Sequence, residues 1–363
     1  MDKSSILVTG LGQCGGKLAD TMKEFNGRYT TNYINSSLGD IKGLKHADLD
    51  NNVLIYSGTD GSGRIREKGK KFFETDAIRV ADFIGKFRQF KHSVVCTSLD
   101  GGTGSGTLIH YIKLLKRLMP TMTITVVGVL PKLSSESLNL DNAKKCLKEY
   151  EKYIKDLVNG LILINNEKCN ISYEQINLEA ISIIDAFFGM VGHHEDGSID
   201  NGNLNNVITA GGYISLLKLP NINNVSVRDA MKQAKEKSIF ALPEGFRCLF
   251  SSVNVVEGMY NKDLICEKIK AKKTTYSTYN KKGLNLVALS GCSMPNDDID
   301  DLLDELQVRQ ENDDDYEIEG FNILDDDEED TVYKKPEKQE KTNVFMDEED
   351  IDYILKDADF FKF

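Results

Sequence analysis

The sequence predicts an α/β protein: an N-terminal Rossmann-like parallel-sheet domain, a central helix, and a smaller C-terminal α/β or α+β domain ending in a helix and an acidic tail. Three observations carry this reading. Short apolar runs alternate with helix-compatible stretches through the first half. Two glycine-rich turns, Gly10-Leu11-Gly12-Gln13-Cys14-Gly15-Gly16 and Gly101-Gly102-Thr103-Gly104-Ser105-Gly106-Thr107, each follow an apolar run and precede a helix-like one. A long, largely apolar stretch at 173–190 then separates this pattern from a second unit.

Residues 5–9, 29–35, 52–56, 93–98, 123–129 and 161–164 are short and apolar, as buried strands are. Between them, 17–25, 65–90, 107–119 and 142–158 suit helices; within 65–90, Ile78, Phe83 and Phe87 fall near one face. In 173–190, Ile181, Ile184 and Phe188 form one stripe with Leu178 beside it. A polar stretch, 193–206, reads as a flexible loop.

The second unit offers strand-like runs at 213–219, 248–255, 274–279 and 284–289, and helix-like runs at 227–238 and 262–272. Pro295 opens a last helix to Gln310. Its early Asp297, Asp298, Asp300 and Asp301 suit the positive end, and Ile299, Leu302, Leu303 and Leu306 form an i, i+3, i+4, i+7 stripe. Beyond it the composition is acid and lysine, expected to stay disordered to about Met346. The end carries Ile351, Ile354, Leu355, Phe360, Phe361 and Phe363 among acids, an exposed hook.

At 363 residues the chain has room for two domains. No apolar run reaches the roughly 18 residues of a membrane span, and the first residues lack a signal-peptide pattern. The seven cysteines are scattered without a Cys-x-x-Cys pair, which argues for reduced thiols in a cytoplasmic protein and against a zinc site. The net charge of −12 is divided: residues 296–363 hold 27 acidic and 7 basic side chains, net −20, leaving +8 on residues 1–295. Such a tail solubilises, self-repels or docks on basic partners; its sign disfavours direct DNA contact.

Glycine lets a backbone approach an anion and turn N–H groups toward it, and a following helix adds unpaired N–H groups and its dipole. Two such turns on one sheet suit the two ends of a polyphosphate. Gly10-Leu11-Gly12-Gln13-Cys14-Gly15 matches the dinucleotide pattern G-x-G-x-x-G, a weak signal alone. That alternative, an NAD-dependent oxidoreductase, wants a ribose-binding acid after the second strand. Ile34-Asn35-Ser36-Ser37 stands there, and the next carboxylate is Asp40. No G-x-x-x-x-G-K-[ST] occurs, which excludes a P-loop.

The second turn closely resembles the signature of the tubulin/FtsZ superfamily of GTPases, and further features agree in order over roughly residues 4–295. Gly12-Gln13-Cys14-Gly15 is similar to that family's first nucleotide loop, and Asn35 stands at its second. Gly61-Ser62-Gly63-Arg64 resembles its third, γ-phosphate-sensing loop, and Pro131 stands at its sugar loop. Asn165-Asn166-Glu167-Lys168 resembles its Asn-Asp-Lys, while Tyr173 and Asn177 match the aromatic and amide beneath the base. Within the superfamily the divergent sequence and acidic tail look most like the TubZ group of plasmids and phages, clostridial phage type.

The resemblance implies GTP or GDP as ligand, with Mg2+ held mainly through phosphates and water. Gly101, Gly102, Thr103, Gly104, Ser105 and Gly106 are then expected around the β- and γ-phosphates, with Gly61 and Gly63 at the γ end. Gly12, Gln13, Cys14 and Gly15 belong at the α/β-phosphates, although packing suits Cys14 equally. Tyr173 stacks on the purine, and Asn166 and Asn177 offer amides to its edge. Glu136 is either a ribose ligand or a solvated acid at a helix entry. Asp100 stands where the family carries glycine, and either contacts magnesium through water or caps the turn.

The family's hydrolytic acid comes from the next subunit, in a loop with the pattern Asn-x-Asp-x-x-Asp. Alignment on Gly212-Tyr213 places Ser198, Asp200 and Asn203 there, so Asp200 is expected to polarise water; Asn203 departs from the family acid and can orient water but not act as a base, and Glu195 or Asp196 could substitute. The implied division is a GTP-binding domain (1–172), central helix (173–192), catalytic loop and helix (193–212), activation domain (213–294), C-terminal helix (295–310) and tail (311–363). The implied activity is GTP hydrolysis coupled to head-to-tail polymerisation that segregates plasmid or phage DNA. The expected partners are copies of itself and a DNA-binding adaptor on the tail, with DNA held indirectly and no membrane. An FtsZ-like division ring is the alternative within the class.

Overall fold

The computed structural model describes residues 1–168, 171–194, 197–222, 225–279 and 283–314. β1 (Ile6–Leu11) leads through α1 (Gly12–Phe25) to β2 (Thr30–Asn35), then through α2 (Leu38–Lys42) to β3 (Val53–Ile55). The helices α3 (Arg66–Thr75) and α4 (Ala77–Gly85) return the chain to β4 (His92–Ser98). After α5 (Thr103–Leu118), β5 (Thr123–Leu130), α6 (Ser137–Glu149) and β6 (Gly160–Asn165) complete a six-stranded parallel sheet in the order β3-β2-β1-β4-β5-β6. Every residue of β1 and β6 is buried, which is why these runs read as uninterrupted apolar segments rather than alternating ones.

The single helix expected over 65–90 is two. Asp76 breaks it: its carboxylate accepts from the Ser57 backbone N–H at 2.6 Å and from Arg79 at 2.6 Å, tying the helix junction to the end of β3. The break resets the core-facing side, so Phe83 and Phe87 are buried while Ile78 is 46% exposed.

α7 (Tyr173–Phe188) begins at a reciprocal cap: Ser172 Oγ accepts from the Gln175 N–H, and Gln175 Oε1 accepts from the Ser172 N–H. Ile181, Ile184 and Phe188 are buried as the stripe requires, whereas Leu178, at its edge, is exposed. The stretch read as a flexible loop holds structure: β7 (Gly192–His194) pairs with β8 (Gly197–Ile199), and α8 (Asn201–Ile208) follows. Leu204, Val207 and Ile208 are buried, an apolar face too short to stand out among asparagines.

β9 (Tyr213–Lys218), α9 (Val227–Glu236), β10 (Arg247–Val256), α10 (Lys262–Lys268), β11 (Lys270–Tyr279) and β12 (Leu286–Cys292) build the second part. β9 joins β6 through one parallel pair, Leu161 with Tyr213, and the sheet continues antiparallel to β12 and β10, with β11 parallel at the edge. The helix expected over 262–272 stops at Lys268, because residues from Lys270 onward pair with β10. α11 (Asn296–Asp314) runs past the expected end at Gln310, with Leu302 and Leu306 buried.

Residues 1–306 are one compact unit and 307–363 a second, whose described part is the end of α11. The expectations for the acidic tail beyond Asp314, and for Glu195 and Asp196, lie outside the described residues. Among the described residues no helix is long and apolar enough to cross a membrane.

Candidate functional site

Strand order reverses at β1: the chain proceeds outward to β2 and β3, then returns to β4 on the other side. Such a reversal opens a crevice at the carboxyl ends of the strands. A cleft of about 730 Å3 lies there, lined by both glycine turns and by loops after β2, β3, β5 and β6.

The two glycine turns touch through their backbones. Gly12 has φ 68°, in the left-handed region where glycine is favoured, and a Cβ on it would stand 2.8 Å from the Gly104 amide nitrogen. A Cβ on Gly104 would stand 2.7 Å from the Leu11 carbonyl oxygen. α1 and α5 both start at this contact, and neither has a side-chain cap, so their first-turn N–H groups stay available to an anion. Thr103 Oγ1 lies 2.6 Å from Ser36 Oγ and 3.1 Å from Ser62 Oγ, which gathers three hydroxyls at one wall.

Side-chain charge in the cleft balances: Lys17, Arg64 and Lys132 face Asp40, Asp100 and Glu136 among its lining residues. Positive potential therefore comes from the backbone N–H groups. Gln13 donates to Asp40 at 2.8 Å. Cys14 lines the cleft partly exposed, yet burial of its thiol and then the Asp100 carboxylate push it up to about 12, which keeps it protonated. Asp100 accepts from Ser98 Oγ and, at 2.8 Å, from Asn139 Nδ2, while the turn itself is capped by Ser98 Oγ, which accepts from the Gly101 N–H at 3.1 Å. Glu136 sits at the start of α6 and pairs with Arg64 at 3.0 Å.

At the other end stand Pro131, Lys132, Asn166, Tyr173 and Asn177. The Ser172 cap sets Tyr173 in the first turn of α7 and Asn177 one turn later, so both reach the same space. Tyr173 is 56% exposed, with Lys132 Nζ 5.4 Å from its ring centroid. The neighbours of Asn166 do other work: Asn165 donates to Asp298 at 2.8 Å and Lys168 pairs with the same carboxylate at 3.0 Å, anchoring the start of α11.

Of the residues singled out from the sequence, Gly12, Gln13, Cys14, Gly61, Gly63, Gly101, Gly102, Thr103 and Gly104 line the cleft together with Pro131, Glu136, Asn166, Tyr173 and Asn177. Gly15, Asn35, Ser105 and Gly106 do not. Gly15 packs against the Cys96 carbonyl, and Gly106 lets α5 meet the Arg66 carbonyl and Gly69. Ser105 Oγ donates to the Gly101 carbonyl; buried Asn35 accepts from the Ser36 and Ser37 N–H groups and shapes the loop behind Asp40. Asp200 and Asn203 also lie outside the lining; Asp200 Oδ1 caps α8, accepting from the Asn203 N–H at 2.6 Å.

Sequence reasoning overlooked Lys17, Ser36, Lys132 and Asn139, each one turn or a few residues from a motif position; the i+3 spacing of Glu136 and Asn139 was the available signal for the last.

A switch-point cleft floored by uncapped helix starts, with an aromatic and amides at one end, defines a nucleotide-binding α/β protein. The family described as "Tubulin/FtsZ family, GTPase domain" matches residues 5–173. The tubulin-like protein TubZ of Clostridium botulinum C phage is 26% identical over 293 residues, 80% of this chain and 79% of that protein. The structure of the tail-truncated TubZ of C. botulinum phage c-st superposes with a TM-score of 0.77 at 22% identity, covering 86% of this chain and all of that one. A GTPγS-form protofilament of Bacillus thuringiensis serovar israelensis TubZ superposes with a TM-score of 0.73 at 14% identity, covering 85% of this chain and 92% of that one. Residues 5–173 of this chain match the GTPase domain of the tubulin/FtsZ family, and the protein is a GTPase.

Proposed function

We propose that this chain completes its GTPase site only between two of its own copies, in a head-to-tail filament that moves plasmid or phage DNA through a DNA-binding adaptor. The carrying observation is a separation. The cleft gathers both glycine turns with Asn166, Tyr173 and Asn177, while Asp200 and Asn203 lie outside its lining on the segment before β9. A repeating contact that does not close into a ring gives an open filament. The relative solved as a protofilament supports this reading by likeness of fold.

In this reading residues 1–172 hold the nucleotide, the helix over 173–192 links it to an activation domain at 213–294, and 193–212 reach the neighbouring copy. Residues 101–104 and the uncapped starts of α1 and α5 meet the phosphates, Thr103 adds a hydroxyl, and Tyr173, Asn166 and Asn177 meet the base. Mg2+ neutralises phosphate charge when bound. Asp200 of one copy orients water for the cleft of the next. The reduced, scattered cysteines suit a cytoplasmic protein, and the acidic residues after α11 suit an adaptor with a basic face.

Phosphate release from GTP, followed against protein concentration with light scattering alongside, tests the shared site. A lag and a critical concentration are expected. Turnover proportional to protein at dilutions that scatter no light refutes it.

A further inference from the structure

The loop after β6 carries Asn166 into the cleft, and both of its flanks are tied down from outside the cleft. On one side, Asn165 Oδ1 accepts from the Glu167 N–H at 2.9 Å, an Asx turn that folds the backbone around Asn166. An amide has an oxygen and a nitrogen to offer, and the partner at its other end selects which one faces that N–H. Here the partner is Asp298, whose Oδ1 accepts from Asn165 Nδ2 at 2.8 Å. On the other side, Lys168 Nζ meets the same carboxylate at 3.0 Å. Glu167 Oε2 accepts from the Leu133 N–H at 2.9 Å, beside Pro131 and Lys132 of the cleft.

Four acids stand at the start of α11, where the helix dipole favours them all equally. Asp297, Asp300 and Asp301 are exposed, but Asp298 is withdrawn, its side chain 10% exposed. Its second oxygen accepts from the Leu242 N–H at 3.1 Å. The segment before Leu242 runs beside β6, with the Asn165 N–H donating to the Ile239 carbonyl and the Ala241 N–H to the Leu163 carbonyl, both at 2.9 Å. One carboxylate therefore joins the Asn166 loop, this segment and α11. A small cleft of about 150 Å3, lined by Leu133, Asn165, Lys168, Asp298 and Leu302, lies between the loop and α11, so polar contacts carry the loop across that gap.

We propose that Asp298 is a positioning residue for purine recognition: it fixes Asn165 and Lys168 on either side of Asn166, and so fixes where Asn166 meets the base. This rests on the GTP-binding reading above. Asp298 lies outside the lining of the nucleotide cleft and acts through the loop. Without it the buried Asn165 amide loses its partner and is free to turn, which releases the Asx turn.

The test is equilibrium binding of GDP to the full chain in a double-mutant cycle. Asp298→Ala is expected to weaken GDP on the order of tenfold in the wild-type background, and by less than about twofold in an Asn166→Ala background, where the contact being positioned is already gone. Asp298→Asn keeps one acceptor oxygen and falls between. Lys168→Ala removes only the more exposed partner and is expected to weaken GDP about threefold, again only where Asn166 is present. It decides the question if a thermal melt shows that Asp298→Ala does not fold. Undiminished GDP binding in Asp298→Ala, or equal losses with and without Asn166, overturns the assignment, since a merely structural loss does not depend on Asn166. If Asn166→Ala binds GDP as the wild type does, the base contact itself falls; if the wild-type chain binds no GDP, the GTP reading falls.

Discussion

Arg66 and Glu149 form a buried ion pair directly behind α5, the helix that starts at the cleft. Arg66 is 1% exposed; its Nη1 donates to Glu149 Oε1 at 2.9 Å, and its Nη2 donates to the Ser105 carbonyl at 3.1 Å as well as to Oε2. Burial alone pushes the Glu149 carboxyl up, yet Arg66 and Lys70 hold it below its ordinary value. Removing one partner strands a charge in the interior. Glu149→Ala is expected to cost about 3–5 kcal/mol in urea unfolding, while the double change Arg66→Met, Glu149→Leu recovers most of the loss. A single variant as stable as wild type contradicts this.

The backbone contact between Gly12 and Gly104 leaves no room for a methyl group. Gly104→Ala brings a Cβ to 2.7 Å from the Leu11 carbonyl oxygen, so the two turns must separate. Nucleotide affinity is expected to fall by at least about tenfold, read by fluorescence of a labelled nucleotide. Undiminished binding shows that the spacing of the turns does not matter.

The carboxylate of Asp200 caps α8, so a test of its proposed hydrolytic role must separate the two. Asp200→Ala loses the cap, at about 1 kcal/mol, as well as the charge. Asp200→Asn keeps a capping oxygen and loses only the charge. Phosphate release is expected to fail in both, with GTP binding intact in both and stability reduced only in the alanine variant. Normal turnover in Asp200→Asn removes the residue from the hydrolytic step.

Acid sensitivity follows from two buried imidazoles. Burial pushes His92 down to about 3 and His110 down to about 4, each from an ordinary value of 6.5. Below pH 6.5 the unfolded chain binds protons that the folded chain refuses, so stability is complete above that pH and falls as pH drops toward 4. Each group contributes a slope of about 1.4 kcal/mol per pH unit. Unfolding midpoints between pH 7 and 5 measure it, and replacing both with phenylalanine is expected to flatten the dependence. An unchanged slope assigns it elsewhere.

Much of the site was legible in one dimension because phosphate recognition uses backbone, and backbone that must bend or approach closely demands glycine at adjacent positions. The second turn is a local pattern of this kind, and the apolar strands and the apolar stripe of α7 are local in the same sense, while the Ser172 cap was found only in the structure. Gly15 and Gly106 show the limit: a glycine needed for helix packing is spelled the same way as one that faces a ligand. The Arg64–Glu136 pair and the Asn142 amide, which donates to the carbonyls of both Arg64 and Asp100, join loops far apart in the chain, so no spacing rule announces them.

By itself the sequence determined the parallel sheet, the two glycine turns and the helix that carries Tyr173 and Asn177, since each follows from hydrophobic period or backbone freedom within a few residues. Only the tertiary structure decided that Asp76 splits a helix, that residues 197–206 hold β8 and the start of α8, and which charged side chains meet across the cleft. Those outcomes depend on contacts between segments distant in sequence, whose energies exceed local preference once the sheet has brought them together.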